Sequence, residues 1–252
     1  MNHLSVVSNT NSSTKLSKRQ QRRLKNSTKN EFKLLPISPQ NPRQAKAIDS
    51  FYNDKNILMH GYPGTGKTFL AVYLAIQDVL ENNGDGCSKV SIVRSAVPSR
   101  DIGFMPGNLK EKSSLYETPY ADICSEIFNR GDAYGYLKSK DLIEFNTTSY
   151  LRGINLEDTI VIVDECQNLN GNELNTIITR LKESSRIIFC GDYRQSDLTK
   201  ERERSHLANF MKILKKMSYF DCIEYQKDDI VRSDMVKEFI ILREEMGHNN
   251  WY

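Results

Sequence analysis

Six short apolar runs punctuate the chain: NILMHG (56–61), KVSIVRS (89–95), LIEFNT (142–147), TIVIVDE (159–165), RIIFCGD (186–192) and FDCIEY (220–225). Most are nearly continuous in apolar character and close on polar residues or glycine, the pattern of strands covered on both faces. Other segments place apolar residues three and four apart and predict helices: TFLAVYLAIQDVLENN (68–83), NELNTIITRLKE (172–183), SHLANFMKILKKM (205–217) and DMVKEFIILREEM (234–246). An earlier helix starts close to Pro42, where proline suits the first turn. The section 98–140 mixes glycine, proline, tyrosine and charge, with a helix inside it. Strands alternating with helices predict an α/β domain with a mostly parallel sheet flanked by helices. There is no internal repeat.

Composition narrows the class. The 252 residues, 38% hydrophobic and 27% charged, suffice for one domain with a sizeable core. No run of eighteen apolar residues exists and the N-terminus lacks an apolar leader, so neither a membrane span nor secretion is expected. Five scattered cysteines without a CxxC pair argue against a disulfide framework or a zinc site and fit a reducing cytoplasm. Cys166, Cys190 and Cys222, in or beside apolar runs, read as small buried hydrophobes. The four histidines show no metal spacing.

The net charge of +3 is unevenly spread. Residues 15–33 hold eight basic residues against one acidic. Residues 1–33 therefore read as a basic arm, disordered or partly helical, ahead of a domain spanning 34–252. Such an arm either contacts nucleic-acid phosphates or is a solvated tail.

The chemistry concentrates at strand ends. GYPGTGKT, residues 61–68, fits the spacing G-x-x-x-x-G-K-[ST] between a predicted strand and a predicted helix. Gly61, Gly64 and Gly66 let the backbone N–H groups of the loop, which also holds Tyr62, Pro63 and Thr65, turn inward around phosphates. The helix N-terminus adds its dipole. Lys67 is spaced to reach the β- and γ-phosphates and Thr68 to hold Mg²⁺. About a hundred residues on, IVIVDE ends in Asp164 and Glu165. At the carboxyl end of a parallel strand, Asp164 suits the same Mg²⁺ and Glu165 suits polarising an attacking water. A third strand, IIFCGDYRQSDL, ends in Asp192, Arg194, Gln195 and Asp197; Gln195 suits a hydrogen bond to the γ-phosphate and the lytic water.

Taken together, these pieces resemble the PhoH family of P-loop ATPases, itself similar to the helicase superfamily 1 core. The resemblance runs from about Pro36 to Arg243. It rests on GYPGTGKT, IGFMPGNLKEK (102–112), YLRGINLEDTIVIVDECQNL (150–169), GDYRQSDL (191–198) and DDIVRS (228–233). The departures are Tyr62 and Pro63 inside the loop and Cys166 where the family often has alanine. The resemblance implies a single RecA-like domain in which the strand ending at Asp192 lies between the P-loop strand and the strand ending at Glu165. It sets Gln44 at a position resembling the helicase Q motif, where an amide reads adenine. It also makes Arg232 the candidate arginine for the transition state, with Arg152 and Arg194 next. Because one such domain fills the chain, that arginine is expected from a neighbouring subunit of a homo-oligomeric ring such as a hexamer.

The function implied is ATP binding and Mg²⁺-dependent hydrolysis coupled to remodelling of RNA or single-stranded DNA. A nucleotide-dependent switch or assembly ATPase is the alternative; a P-loop kinase fits less well, because VDECQN and GDYRQ are helicase-like. Between 98 and 152, basic residues (Arg100, Lys110, Lys112, Lys138, Lys140) interleave with Tyr116, Tyr120, Tyr134 and Tyr136. That mixture suits a single strand, whose bases stack and whose phosphates track charge. It equally suits a helical insertion with its tyrosines packed on the core.

Overall fold

The computed structural model describes residues 32–81, 86–95, 109–148, 151, 155–192 and 201–246, with backbone alone for 109–114 and 201–205. All six predicted strands form: β1 (Asn56–Gly61), β2 (Lys89–Arg94), β3 (Ile143–Thr147), β4 (Thr159–Val163), β5 (Arg186–Gly191) and β6 (Phe220–Tyr225). They make one sheet in the order β3-β2-β4-β5-β1-β6, parallel at every pairing. β5 therefore lies between β1 and β4, as the resemblance implies, and the domain is RecA-like. β4 is buried at every residue, and β1 and β5 at all but the first. Parallel strands hidden on both faces must be apolar throughout, which is why they read so clearly in the sequence.

Among the described residues seven helices flank the sheet: α1 (Pro42–Tyr52), α2 (Lys67–Glu81), α3 (Leu109–Phe128), α4 (Ala133–Ser139), α5 (Gly171–Arg180), α6 (Glu201–Leu214) and α7 (Asp234–Met246). α1 starts at Pro42 because Asn41 caps it, its side chain accepting from Gln44 N at 2.8 Å. Asn170 and Glu173 cap α5 reciprocally. α6 starts earlier than its apolar spacing predicts. Its first turn is the charged ERER, good helix formers that carry no periodic signal. The section expected to hold one helix holds two, α3 and α4, joined around Gly131.

The sheet and all seven helices belong to the unit Leu35–Tyr252. The basic arm up to residue 31 lies outside the described residues. The five cysteines are free thiols; Cys87, Cys124, Cys166 and Cys190 are buried and Cys222 partly so. No helix among the described residues is long and apolar enough to cross a membrane.

Candidate nucleotide site

The sheet order brings the carboxyl ends of β1, β5 and β4 side by side, and the chemistry-bearing residues follow directly from them. β1 ends at Gly61, φ +115°, where a Cβ would lie 2.2 Å from Tyr225 O on neighbouring β6. Only glycine allows the chain to leave the sheet there. The loop then turns on itself: Thr65 Oγ1 donates to Tyr62 O at 3.0 Å, and Tyr62 N to Tyr225 O at 3.2 Å. Lys67 Nζ donates to Gly61 O at 2.9 Å and Tyr62 O at 2.6 Å, so the ammonium sits inside the loop. Burial lowers its basicity, against the attraction of Asp192, Cys190, Glu165 and Asp164.

Thr68, the second residue of α2, donates to Asp164 Oδ1 at 2.8 Å. Asp164 follows β4 and is buried. Burial and the neighbouring Glu165 raise its pKa, opposed by the hydrogen bonds from Thr68 and Tyr120 and by Arg94. Its other oxygen, Oδ2, accepts from Tyr120 Oη at 2.8 Å. Glu165 adopts a left-handed backbone, φ +50° and ψ +42°, uncommon for a side chain of its size. That turn brings its carboxylate to Gln167 Nε2, which donates to it. Gln167 Oε1 in turn accepts from Asp192 N at 3.0 Å, tying the end of β5 to the residues after β4.

The other predicted residues divide. Gln44 is buried on the cavity wall, but both ends of its amide are engaged: Oε1 accepts from Gln40 N at 2.8 Å and Nε2 donates to Thr65 O at 3.0 Å. It thus pins the lead-in segment to the loop, and an adenine contact must share or exchange one of these bonds. Arg232 lines the cavity of its own chain. Val231 N donates to Gly64 O at 2.9 Å, and a Cβ on Gly64 would lie 3.0 Å from Arg232 Cγ. The segment is anchored by buried Asp229, which pairs with Arg43 at 3.0 Å. Arg232 Cγ thus stands beside the loop of its own chain. Gln195, Arg194, Asp197, Arg152, Arg100 and most of IGFMPGNLKEK lie outside the described residues; only the backbone of Lys110 and Lys112 is described. Tyr120 and Tyr134 are packed on the core, while Tyr136 is exposed between Arg130 and Lys140, whose charges stand 5.6 and 5.9 Å from its ring. Tyr120 and Tyr134 thus follow the reading of a helical insertion packed on the core.

The cavity enclosed by these elements measures about 570 Å³ and is walled by Gln44, Gly66, Lys67, Asp164, Glu165 and Arg232, among others. A Cβ at Gly66, φ +81°, would press to 2.9 Å of Gln44 Nε2. The donors fit a Mg-nucleotide. Lys67 brings half-buried positive charge, and the hydroxyl of Thr68 and the carboxylate of Asp164 are hard oxygens one hydrogen bond apart.

Comparison with known proteins agrees with this geometry. The PhoH family model, described as PhoH-like protein, matches residues 36–244. The chain belongs to the PhoH family. A PhoH-like protein of Bacillus subtilis (strain 168) is 36% identical over 181 residues, 71% of this chain and 55% of that one. A PhoH-like protein of Synechocystis sp. is 33% identical over 199 residues, 79% of this chain and 59% of that one. The chain thus spans a little over half the length of these PhoH relatives. Among solved structures, the large terminase of a thermophilic bacteriophage is similar with a TM-score of 0.47 at 13% identity, over 80% of this chain and 50% of that one. The UvsW helicase of bacteriophage T4 has a TM-score of 0.43 at 14% identity, over 81% and 67%.

Sequence reasoning left Tyr120, Gln167 and Arg94 without roles in the nucleotide site. Gln167 stands two residues after Glu165, and its position in the motif is the signal for it. Tyr120 carries no signal beyond its helical spacing from Tyr116.

Proposed function

We propose that this PhoH-family chain binds ATP with Mg²⁺, hydrolyses it, and couples hydrolysis to single-stranded RNA or DNA. The observation that carries the reading is the Thr68–Asp164 hydrogen bond beside the half-buried Lys67 ammonium, with Glu165 next in sequence. Lys67 exchanges the carbonyls of Gly61 and Tyr62 for phosphate oxygens. Thr68 and Asp164 hold the cation, and Gln44 contacts the base. A Mg²⁺ held by Thr68 and Asp164 would supply charge neutralisation at the phosphates. Glu165, oriented by Gln167, accepts the proton of the attacking water. Gln195 contacts the γ-phosphate, and Arg232 steadies charge on it from the same subunit.

Strand contact is assigned to the exposed Tyr136 with Arg130, Lys138 and Lys140, and to the basic arm. A homo-oligomeric ring in the cytoplasm remains the assembly that the family resemblance suggests. With Arg232 at its own loop, chemistry does not require the ring to supply that arginine. Measuring ATP turnover with and without single-stranded oligonucleotides tests the reading. Stimulation by the strand is expected. Turnover that ignores it favours the switch or assembly ATPase, and no turnover with Mg²⁺ present defeats both.

A further inference from the structure

One face of α3 runs along the site. Tyr116, Tyr120 and Ile123 are spaced i, i+4 and i+7 on it. Ile123 lines the nucleotide cavity, and the Arg94 guanidinium lies 6.0 Å from the centre of the Tyr116 ring. Tyr120, between them, is wholly buried against Phe145 of β3, ring centres 5.9 Å apart. Its hydroxyl donates to Asp164 Oδ2 at 2.8 Å while Thr68 donates to Oδ1 at the same distance. The carboxylate is thus held at both oxygens, from α2 on one side and α3 on the other.

α3 is itself fixed at this level. Tyr134 Oη and Lys138 Nζ, both on α4, donate to Glu117 Oε2 at 2.8 and 2.6 Å. Pro119, immediately before Tyr120, interrupts the helical ladder, since proline has no N–H to give it. The hydroxyl therefore projects from the turn after Pro119, between Glu117, held by α4, and Ile123 at the cavity.

We propose that Tyr120 is a positioning residue: its hydroxyl sets the plane of the Asp164 carboxylate so that the remaining lone pairs face the metal of a bound Mg-nucleotide, making that metal's affinity depend on the placement of α3. This rests on the reading of the cavity as a Mg²⁺-dependent nucleotide site. Hydrogen-bond partners behind a metal-binding carboxylate typically matter by about 10- to 100-fold in metal affinity. Tyr120 is such a partner on a different helix from the phosphate loop.

The test is equilibrium binding of a fluorescent ADP analogue to the full chain, titrated with MgCl₂ and with MnCl₂, without reference to turnover. In Tyr120→Phe, which keeps the ring and its packing on Phe145, metal-free nucleotide affinity should stay within about 2-fold, because Lys67 and the loop are untouched. The metal concentration giving half the tightening should rise by about 10-fold or more. Asp164→Asn separates positioning from general loosening. If Tyr120 acts through Asp164, adding Tyr120→Phe to Asp164→Asn changes nothing further. A Tyr120→Phe protein with the wild-type metal response overturns the inference, as does an equal loss in both backgrounds. If wild type itself shows no metal-dependent tightening, the nucleotide-site reading falls and this inference falls with it. If wild type responds and Tyr120→Phe responds equally, only Tyr120 is misassigned.

Discussion

The side chain of Gln167 bonds the backbone N–H of Asp192 at 3.0 Å and the carboxylate of Glu165 at its other end. One buried amide thus bridges the carboxyl ends of β4 and β5. Gln167→Ala removes both bonds and leaves Glu165 in its left-handed turn without that donor. Turnover should fall by about 10- to 100-fold, judged by the cost of losing supporting partners elsewhere, with nucleotide affinity nearly unchanged. Steady-state kinetics beside an equilibrium binding curve checks this; equal losses in both measurements would point to misfolding of the site.

Lys67 and Glu165 should fail differently. Lys67→Ala removes charge-assisted contacts to phosphate and should weaken nucleotide binding itself. Glu165→Gln keeps shape and hydrogen bonding and should retain ATP while nearly abolishing turnover. Hydrolysis within about 2-fold of wild type in Glu165→Gln removes it from the role of base.

Gly191→Ala tests the close packing behind the site. A Cβ there would lie 2.5 Å from Gln167 Oε1 and 2.7 Å from Cys166 Sγ. Overpacking of this kind costs about 1–3 kcal/mol. A urea titration should show the midpoint falling with the slope unchanged, and an unmoved midpoint would mean the strand end yields freely.

Arg232 distinguishes one-chain from two-chain catalysis. With the residue beside its own Gly64, Arg232→Ala and Lys67→Ala proteins mixed under subunit exchange should stay inactive. Specific activity per chain should not depend on protein concentration. An arginine lent between subunits contributes about 10³- to 10⁵-fold in other phosphoryl-transfer systems, so recovery in the mixture would be obvious and would return Arg232 to the neighbour.

Removing residues 1–33 deletes eight basic residues and one acidic. If the arm touches phosphates, affinity for single strands should drop and its dependence on salt should flatten. Identical binding across a salt series assigns the arm no part in it.

What the sequence discloses follows from where each interaction lies along the chain. The phosphate loop and the Asp164–Glu165 pair are legible because each is contiguous and sits at a strand end, with apolar residues marking the strand. The central strands β1, β4 and β5 are legible because burial on both faces keeps nearly every position apolar. The pair α3 and α4 reads as one irregular section, since Pro119 inside α3 and Gly131 and Gly135 after it break the periodicity. Tyr120 looks like any other tyrosine in that section. Its partner is 44 residues away and only the fold joins them. Arg232 is recognisable as a candidate, but the motif does not say which subunit's cavity it enters. The hydrogen bond from Val231 to Gly64 sets that segment beside the phosphate loop of its own chain.

The sheet order also governs how the chain comes together as it is made. β1 emerges first, yet its two neighbours are β5 and β6, Ile57 lying opposite Ile188 on one side and Asp221 on the other. Until Arg186 and the residues beyond it have been synthesised, the strand that leads into the phosphate loop has no partner on either edge. Pairings so distant in sequence close slowly, and unpaired strand edges invite association with other chains. A nascent chain halted before β5, or a fragment cut after α5, therefore leaves NILMHG without a partner strand on either edge.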